Sequence, residues 1–295
     1  MISIIISSVD NVQLNQVTKN IEDTIGVPYE IIATDNSLGE KGICEVYNTA
    51  ALKAKYDILC FIHEDIIIRS VGWGNKLVQS FAKNPEVGLI GVIGGSYKPL
   101  SPSIWSGSGI ANEYSNLIQV HKYSNKPSVH FNRNPRNEEL SYVACVDGVW
   151  LSTTKEVFAK YKFDEHLLKG FHLYDIDYSL TVGQHYKVAV TYDILVEHLS
   201  EGNYSRGWML DHIKLHKKWG SYLPVDTEGF SKKDRAHSEK SSFMEFVEQL
   251  IELGFPISTA YKMLWANPRL LRLHFKLFWK LHRYIYRLYK QRNAL

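Results

Sequence analysis

The chain has 295 residues, 45% of them hydrophobic and 22% charged. That composition excludes a disordered or low-complexity protein and provides for a core that needs no disulfide or structural metal as a staple. The formal net charge of +3 hides an uneven distribution: residues 1–252 hold 25 of the 34 basic and all 31 acidic side chains, a net of −6, and nine Lys and Arg follow without one acid.

Cys44, Cys60 and Cys145 are odd in number and sit in apolar stretches without zinc spacing, which points to reduced thiols in a cytosolic protein. The first residues lack the pattern of a signal peptide, and no run approaches ~20 uninterrupted apolar residues. A cytoplasmic chain, neither secreted nor membrane-spanning, is therefore expected.

In chain order, Ile2–Ser7 is a β-branched run of strand length, and Leu14, Val17, Ile21 and Ile25 then recur at helical spacing. Tyr29–Thr34 repeats the strand signal and ends in Asp35-Asn36-Ser37; Ile43, Val46, Tyr47, Ala50 and Ala54 mark a second helix. Asp57–Ile62 is a third buried strand, ending in His63-Glu64-Asp65. Trp73–Lys83 reads as a helix, and Val87–Ile93 as another strand. Residues 96–140 show no sustained period, and a loop of that length is expected to be a substrate lid or poorly ordered.

Tyr142–Ser152 reads as a strand interrupted by Asp147-Gly148, followed by helices near Thr154–Tyr161 and Leu173–Gln184 and a strand Lys187–Tyr192. The hydrophilic stretch 226–242 reads as a linker between a domain of residues 1–225 and a C-terminal helical extension, 243–295. Alternating strands and helices predict an α/β domain built on a mixed, mostly parallel sheet flanked by helices, with ligands gathering at the carboxyl ends of the strands.

Several polar clusters sit at those ends. In extended geometry His63 and Asp65 point to one side and Glu64 to the other, so Asp65 is the better ligand for a hard cation, although an ordinary solvated loop end reads the same way. Asp35-Asn36-Ser37 suits the edge of a base or ribose and equally suits a turn. Asp175 and Asp177, two apart at a helix start, point differently: one carboxylate can face a cleft while the other caps the helix, or both can be acids favoured by the helix dipole. His198 fits a ligand or a hydrogen-bonded structural histidine.

The order of Asp35-Asn36-Ser37, Tyr47-Asn48, Phe61-Ile62-His63-Glu64-Asp65, Asp147-Gly148, Phe163-Asp164-Glu165, Gly170 through Asp177, Gly183 with Tyr186-Lys187-Val188, and His198 through Gly202 resembles family 2 glycosyltransferases of the GT-A fold. It is most similar to the branch in which His-x-Asp replaces Asp-x-Asp, the branch that includes streptomycin-biosynthesis-type proteins. The resemblance covers roughly residues 1–220.

It implies a Rossmann-like nucleotide-binding GT-A domain that transfers a sugar from a UDP-, GDP- or dTDP-sugar donor to a glycan or lipid-linked glycan, with inversion, in bacterial surface polysaccharide assembly. On this resemblance Asp175 is the general base, Asp65 and His198 hold Mn2+ or Mg2+, and Ser7, Asp35, Asn48, His63, Glu64, Asp147 and Gly148 contact the donor. His63 stands where the pattern has the first acid and Tyr174 where it has Glu, which puts ribose contact in doubt and leaves Asp175 as the only obvious base of that motif.

From Arg269 to Lys290 basic residues recur at spacings of three and four beside a broad leucine and aromatic face, with Asn267-Pro268 as the helix start. Such a helix suits the plane of an anionic membrane, which would place the enzyme peripherally on the inner face of the cell membrane; it also suits packing on the catalytic domain or a partner. Nucleic acid is not an expected partner, because the acidic body repels it. Two other functions remain open from sequence: a sugar-phosphate nucleotidyltransferase, and a non-catalytic scaffold binding glycan or membrane.

Overall fold

A computed structural model describes residues 1–122, 126–200, 202, 204–266 and 268–293. Its centre is a seven-stranded sheet ordered Leu140–Val143, Lys187–Thr191, Val87–Gly91, Trp150–Thr154, Ile58–Ile62, Ile2–Ser8, Tyr29–Asp35. The pairings run five strands in one direction and two, Leu140–Val143 and Trp150–Thr154, in the other. This is the mixed α/β sheet expected of a GT-A domain.

Ile2–Ser8 and Ile58–Ile62 are buried along their whole length, as β-branched runs must be when helices cover both faces. Alternate side chains feed two cores. Ile5, Leu59, Phe61, Leu89 and Val190 pack on one face; Ile4, Ile6, Cys60, Ile62 and Ile90 pack on the other.

Helix Asn11–Thr24 starts on Asp10, whose carboxylate accepts from the Val12 and Gln13 N–H groups, and docks on the second core through Val17 and Ile21. Helix Trp73–Lys83 joins it there through Trp73 and Leu77, while helices Ile43–Ala51 and Tyr174–Val182 cover the first core.

Beyond this sheet lies a second one, ordered Cys145–Val146, Ile93–Gly95, Glu113–Gln119, Val196–His198, Ile66–Ile68, with Val129–Arg133 paired to Glu113–Gln119. The segment expected to be an irregular lid therefore contains a β-hairpin. Glu113–Gln119 has its middle residues buried whichever way they point, and Val129–Arg133 is exposed throughout, so neither strand carries the alternation that marks a half-buried strand. The single strand expected over Val87–Ile93 is likewise two, Val87–Gly91 and Ile93–Gly95, one in each sheet.

Residues 226–242 are not a linker. Helix Lys232–Glu252 begins on Ser231, whose hydroxyl accepts from the Asp234 N–H, and buries Ser238, Glu239 and Ser242. Glu239 is 1% exposed; it accepts from the Leu100 and Ser101 N–H groups, both at 2.8 Å, and from the Tyr97 hydroxyl at 3.1 Å. The buried face of the first turns is polar, so hydrophobic periodicity could not reveal it.

The tail forms Ser258–Ala266, Pro268–Leu273 and Phe275–Asn293, not one unbroken helix; Asn267, expected at a helix start, lies outside the described residues. Phe246, Leu250, Leu264, Leu277, Phe278, Leu281 and Ile285 join the first core. Leu270, Leu277 and Leu281 of the tail's leucine stripe are thus spent on the body of the protein, while Leu273 stays exposed. No helix among the described residues is long and apolar enough to cross a membrane.

Candidate active site

Three parallel strands deliver their ends to one edge of the central sheet. Ser8 pairs with Asp35 and Ile6 with Ile62, so the Ser7-Ser8, Asp35-Asn36 and His63–Asp65 segments emerge together. The antiparallel strand Trp150–Thr154 enters at the same edge, where the His63 N–H donates to the Val149 carbonyl at 3.1 Å and brings Asp147-Gly148 alongside. A cleft of about 810 Å³ opens there, lined among others by Ser7, His63, Asp65, Asp147, Gly148, Asp175 and His198.

Glu64 turns away from its neighbours, as strand geometry predicts. Its carboxylate accepts from the Ser8 hydroxyl at 2.6 Å and from the Val9 and Asp10 N–H groups at 2.9 and 3.1 Å. It borders the cleft, but its oxygens are occupied in tying the first strand-to-helix turn to the third strand.

His63, Asp65 and His198 each offer one ligand atom, and these lie within 4.8 Å of one another. His198 Nε2 is 3.5 Å from Asp65 Oδ2, and His63 Nδ1 is 3.8 Å from Asp65 Oδ1. The Ser200 hydroxyl donates to Asp65. Burial raises the Asp65 pKa, but His198, His63 and Ser200 outweigh it and hold the carboxyl below its ordinary range. Burial and then His198 lower the His63 pKa. A carboxylate between two imidazoles is a donor set that fits a divalent cation.

Gln119 donates its amide to the Val120 and Ser200 carbonyls at 2.8 and 2.7 Å, which turns its Oε1 toward His198 Nδ1 at 3.2 Å. His198 then donates from Nδ1, which directs its Nε2 toward Asp65.

Asp175 lies on the other side of Gly148. Its Oδ2 accepts from the Gly148 N–H at 3.0 Å, and burial, reinforced by Asp147, pushes its pKa up to about 7. Asp177 points the opposite way: it is buried and paired with Lys218 at 2.8 Å and the Trp219 indole at 2.7 Å. It does not cap its helix. Only Asp175 meets the cleft.

Other candidates are placed differently. Asn48 does not line the cleft; it donates to the Phe163 carbonyl and Glu165 carboxylate and accepts from the Phe163 N–H, pinning its helix to the 163–165 turn. Asp35 is exposed at the edge, and the Ser37 N–H it accepts from at 2.9 Å lowers its pKa. The buried Ser7 hydroxyl has no protein partner and borders the cleft. Glu201, within the His198–Gly202 motif, lies outside the described residues.

Sequence reasoning missed the aromatic wall of the cleft, Trp105, Phe131, Phe171, Tyr204 and Trp208. It also missed Lys98, fully buried behind that wall: its ammonium donates to the Ser103 carbonyl at 2.8 Å and to His216 Nε2 at 3.0 Å, and burial lowers its pKa to about 7. A buried lysine in the one segment without periodicity left no local signal.

The model of a family described as glycosyltransferase-like matches residues 3–216. The chain is similar to residues 1–349 of S. aureus TarS, solved in complex with UDP, at 13% identity and a TM-score of 0.57, over 98% of this chain and 91% of that one. It is also similar to GalNAc-T7, solved with UDP, GalNAc and Mn2+, at 14% identity and a TM-score of 0.51, over 87% of this chain and only 58% of that one. At those identities the likeness is one of fold. No curated protein matches the sequence.

Proposed function

The chain belongs to the glycosyltransferase-like family and is a GT-A transferase, and from that premise we propose that it moves a sugar from a nucleoside diphosphate donor to a hydroxyl of a glycan or lipid-linked glycan, with inversion. The observation that carries this is the approach of His63, Asp65, His198 and Asp175 to one cleft beside the Ser7 and Asp35 strand ends. UDP accompanies both similar structures and Mn2+ the GalNAc-T7 one, and UDP, GDP or dTDP is the donor nucleotide here.

In this reading Asp65 and His198 hold Mn2+ or Mg2+, which when bound neutralises charge building on the leaving diphosphate. The free Ser7 hydroxyl and the Asp35 carboxylate meet the nucleoside, while Asp147 and Gly148 border the sugar. Asp175 takes the proton of the acceptor hydroxyl at its Oδ atoms. A carboxyl titrating near 7 accepts a proton at neutral pH far better than an ordinary one does. The aromatic wall stacks against the acceptor and excludes water.

Residues 1–225 form the transferase domain and 243–295 a helical extension docked on it, with helix Lys232–Glu252 spanning their boundary. The exposed side of that extension, basic from 269 to 290, rests on the anionic inner face of a bacterial cell membrane, where surface polysaccharide precursors are assembled.

Incubation with UDP-, GDP- and dTDP-sugars and Mn2+ tests the proposal. Slow nucleotide release with one of them, abolished in Asp65→Ala, is expected. Pyrophosphate release from a nucleoside triphosphate and a sugar phosphate, or silence in both assays, overturns it; a product with the donor's anomeric configuration overturns inversion.

A further inference from the structure

We infer that Tyr174 is a positioning residue that makes His63 the third ligand of the cation site by fixing which ring nitrogen carries its proton. This rests on the proposed cation role of Asp65 and His198. The Tyr174 hydroxyl is buried and has one proton; the Gly148 carbonyl, 3.0 Å away, can only accept, so that proton points there. The same hydroxyl lies 2.9 Å from His63 Nε2. Its proton being committed, the phenol oxygen accepts, and His63 donates from Nε2.

In the neutral ring that leaves the lone pair on Nδ1, the nitrogen facing Asp65 Oδ1 at 3.8 Å. A lone pair aimed at a carboxylate oxygen beyond hydrogen-bond range gains nothing by itself, and a cation between the two satisfies both. The mirror arrangement holds at His198, where Gln119 plays the orienting part. The two histidines therefore present opposite nitrogens, Nδ1 and Nε2, to one carboxylate.

Gly148 extends the coupling. Its carbonyl takes the Tyr174 proton while its N–H holds Asp175, and a Cβ there would lie 2.3 Å from the Tyr174 hydroxyl. One residue thus joins the cation side of the cleft to the base, and only glycine leaves the Tyr174 ring room.

The test is Mn2+ binding by the full-length protein, without donor, read by EPR titration and by nitrogen couplings to the bound ion. Two histidine nitrogens are expected in the unmodified protein and one in Tyr174→Phe and in His63→Gln. Tyr174→Phe should weaken Mn2+ about 10–100-fold, the range for loss of a residue that orients a metal ligand, and should add nothing in the His63→Gln background. An unchanged affinity in Tyr174→Phe, or an equal loss with His63 already replaced, overturns the inference. If Asp65→Ala abolishes binding while Tyr174→Phe leaves it intact, this inference fails alone; if Asp65→Ala also binds normally, the cation site itself is refuted.

Discussion

The Gly148 N–H donates to Asp175 Oδ2 at 3.0 Å, across a separation of 27 residues. This bond aims the carboxylate into the cleft while leaving it raised to about 7 by burial and by Asp147, and it sets the clearest pH expectation for the protein.

As a base, Asp175 must be ionised to act. The rate should therefore rise with pH through about 7, and Asp175→Asn should lower kcat by ~10²–10⁴-fold with donor affinity retained. A kcat profile flat from pH 5.5 to 8.5 would refute the role.

Stability should move in the opposite direction. A carboxyl whose folded pKa lies above its unfolded value is favoured when protonated, so its ionisation costs stability as pH climbs from about 4 through 7, by up to a few kcal/mol. Asp175→Asn keeps an oxygen for Gly148 and sheds that cost. Its Tm should exceed that of the unmodified protein at pH 8.5, and the margin should shrink toward pH 5; melting curves at the two pH values decide it.

Gly148→Ala should disable the site without unfolding the protein, because the added methyl displaces the Tyr174 ring. Overpacking of this kind costs roughly 1–3 kcal/mol. Near-normal activity in this variant, measured beside its Tm, would show that the peptide tolerates movement.

The tail divides into faces with separate roles. Leu281 and Ile285 are buried, whereas Phe275, Trp279, Tyr286 and Tyr289 are 40–63% exposed beside Arg283, Arg287 and Lys290. Leu281→Ala should destabilise by ~2–5 kcal/mol. Joint replacement of Phe275, Trp279, Tyr286 and Tyr289 by Ser should instead leave Tm nearly unchanged and reduce flotation with anionic vesicles, an interaction that salt should also weaken. Equal flotation of both proteins would remove the membrane role.

Glu239→Ala should open the wall of the cleft. It strands the Leu100 and Ser101 N–H groups, at about 1–3 kcal/mol for each buried donor left unmet, and loosens the segment that carries Trp105. Hydrogen exchange at residues 98–106 should speed up; unaltered protection would contradict the anchoring role.

The β-branched runs Ile2–Ser8 and Ile58–Ile62 and the helical spacing of Trp73–Lys83 were legible in the sequence, because which face a side chain occupies within an element follows from local period alone. The same logic separated Glu64 from His63 and Asp65 and brought the polar strand ends to one edge. Tertiary structure decided what each polar group meets there: Asp175 in the cleft but Asp177 on Lys218, Asn48 in a turn, Tyr174 between His63 and Gly148. It also decided that residues 232–242 are helical, since their buried side is polar and becomes favourable only where Glu239 and Ser242 accept from the Leu100, Ser101 and Ser108 N–H groups, 134–139 residues earlier. Hydrophobic pattern is written locally, whereas hydrogen-bond satisfaction is settled between segments that only the fold brings together.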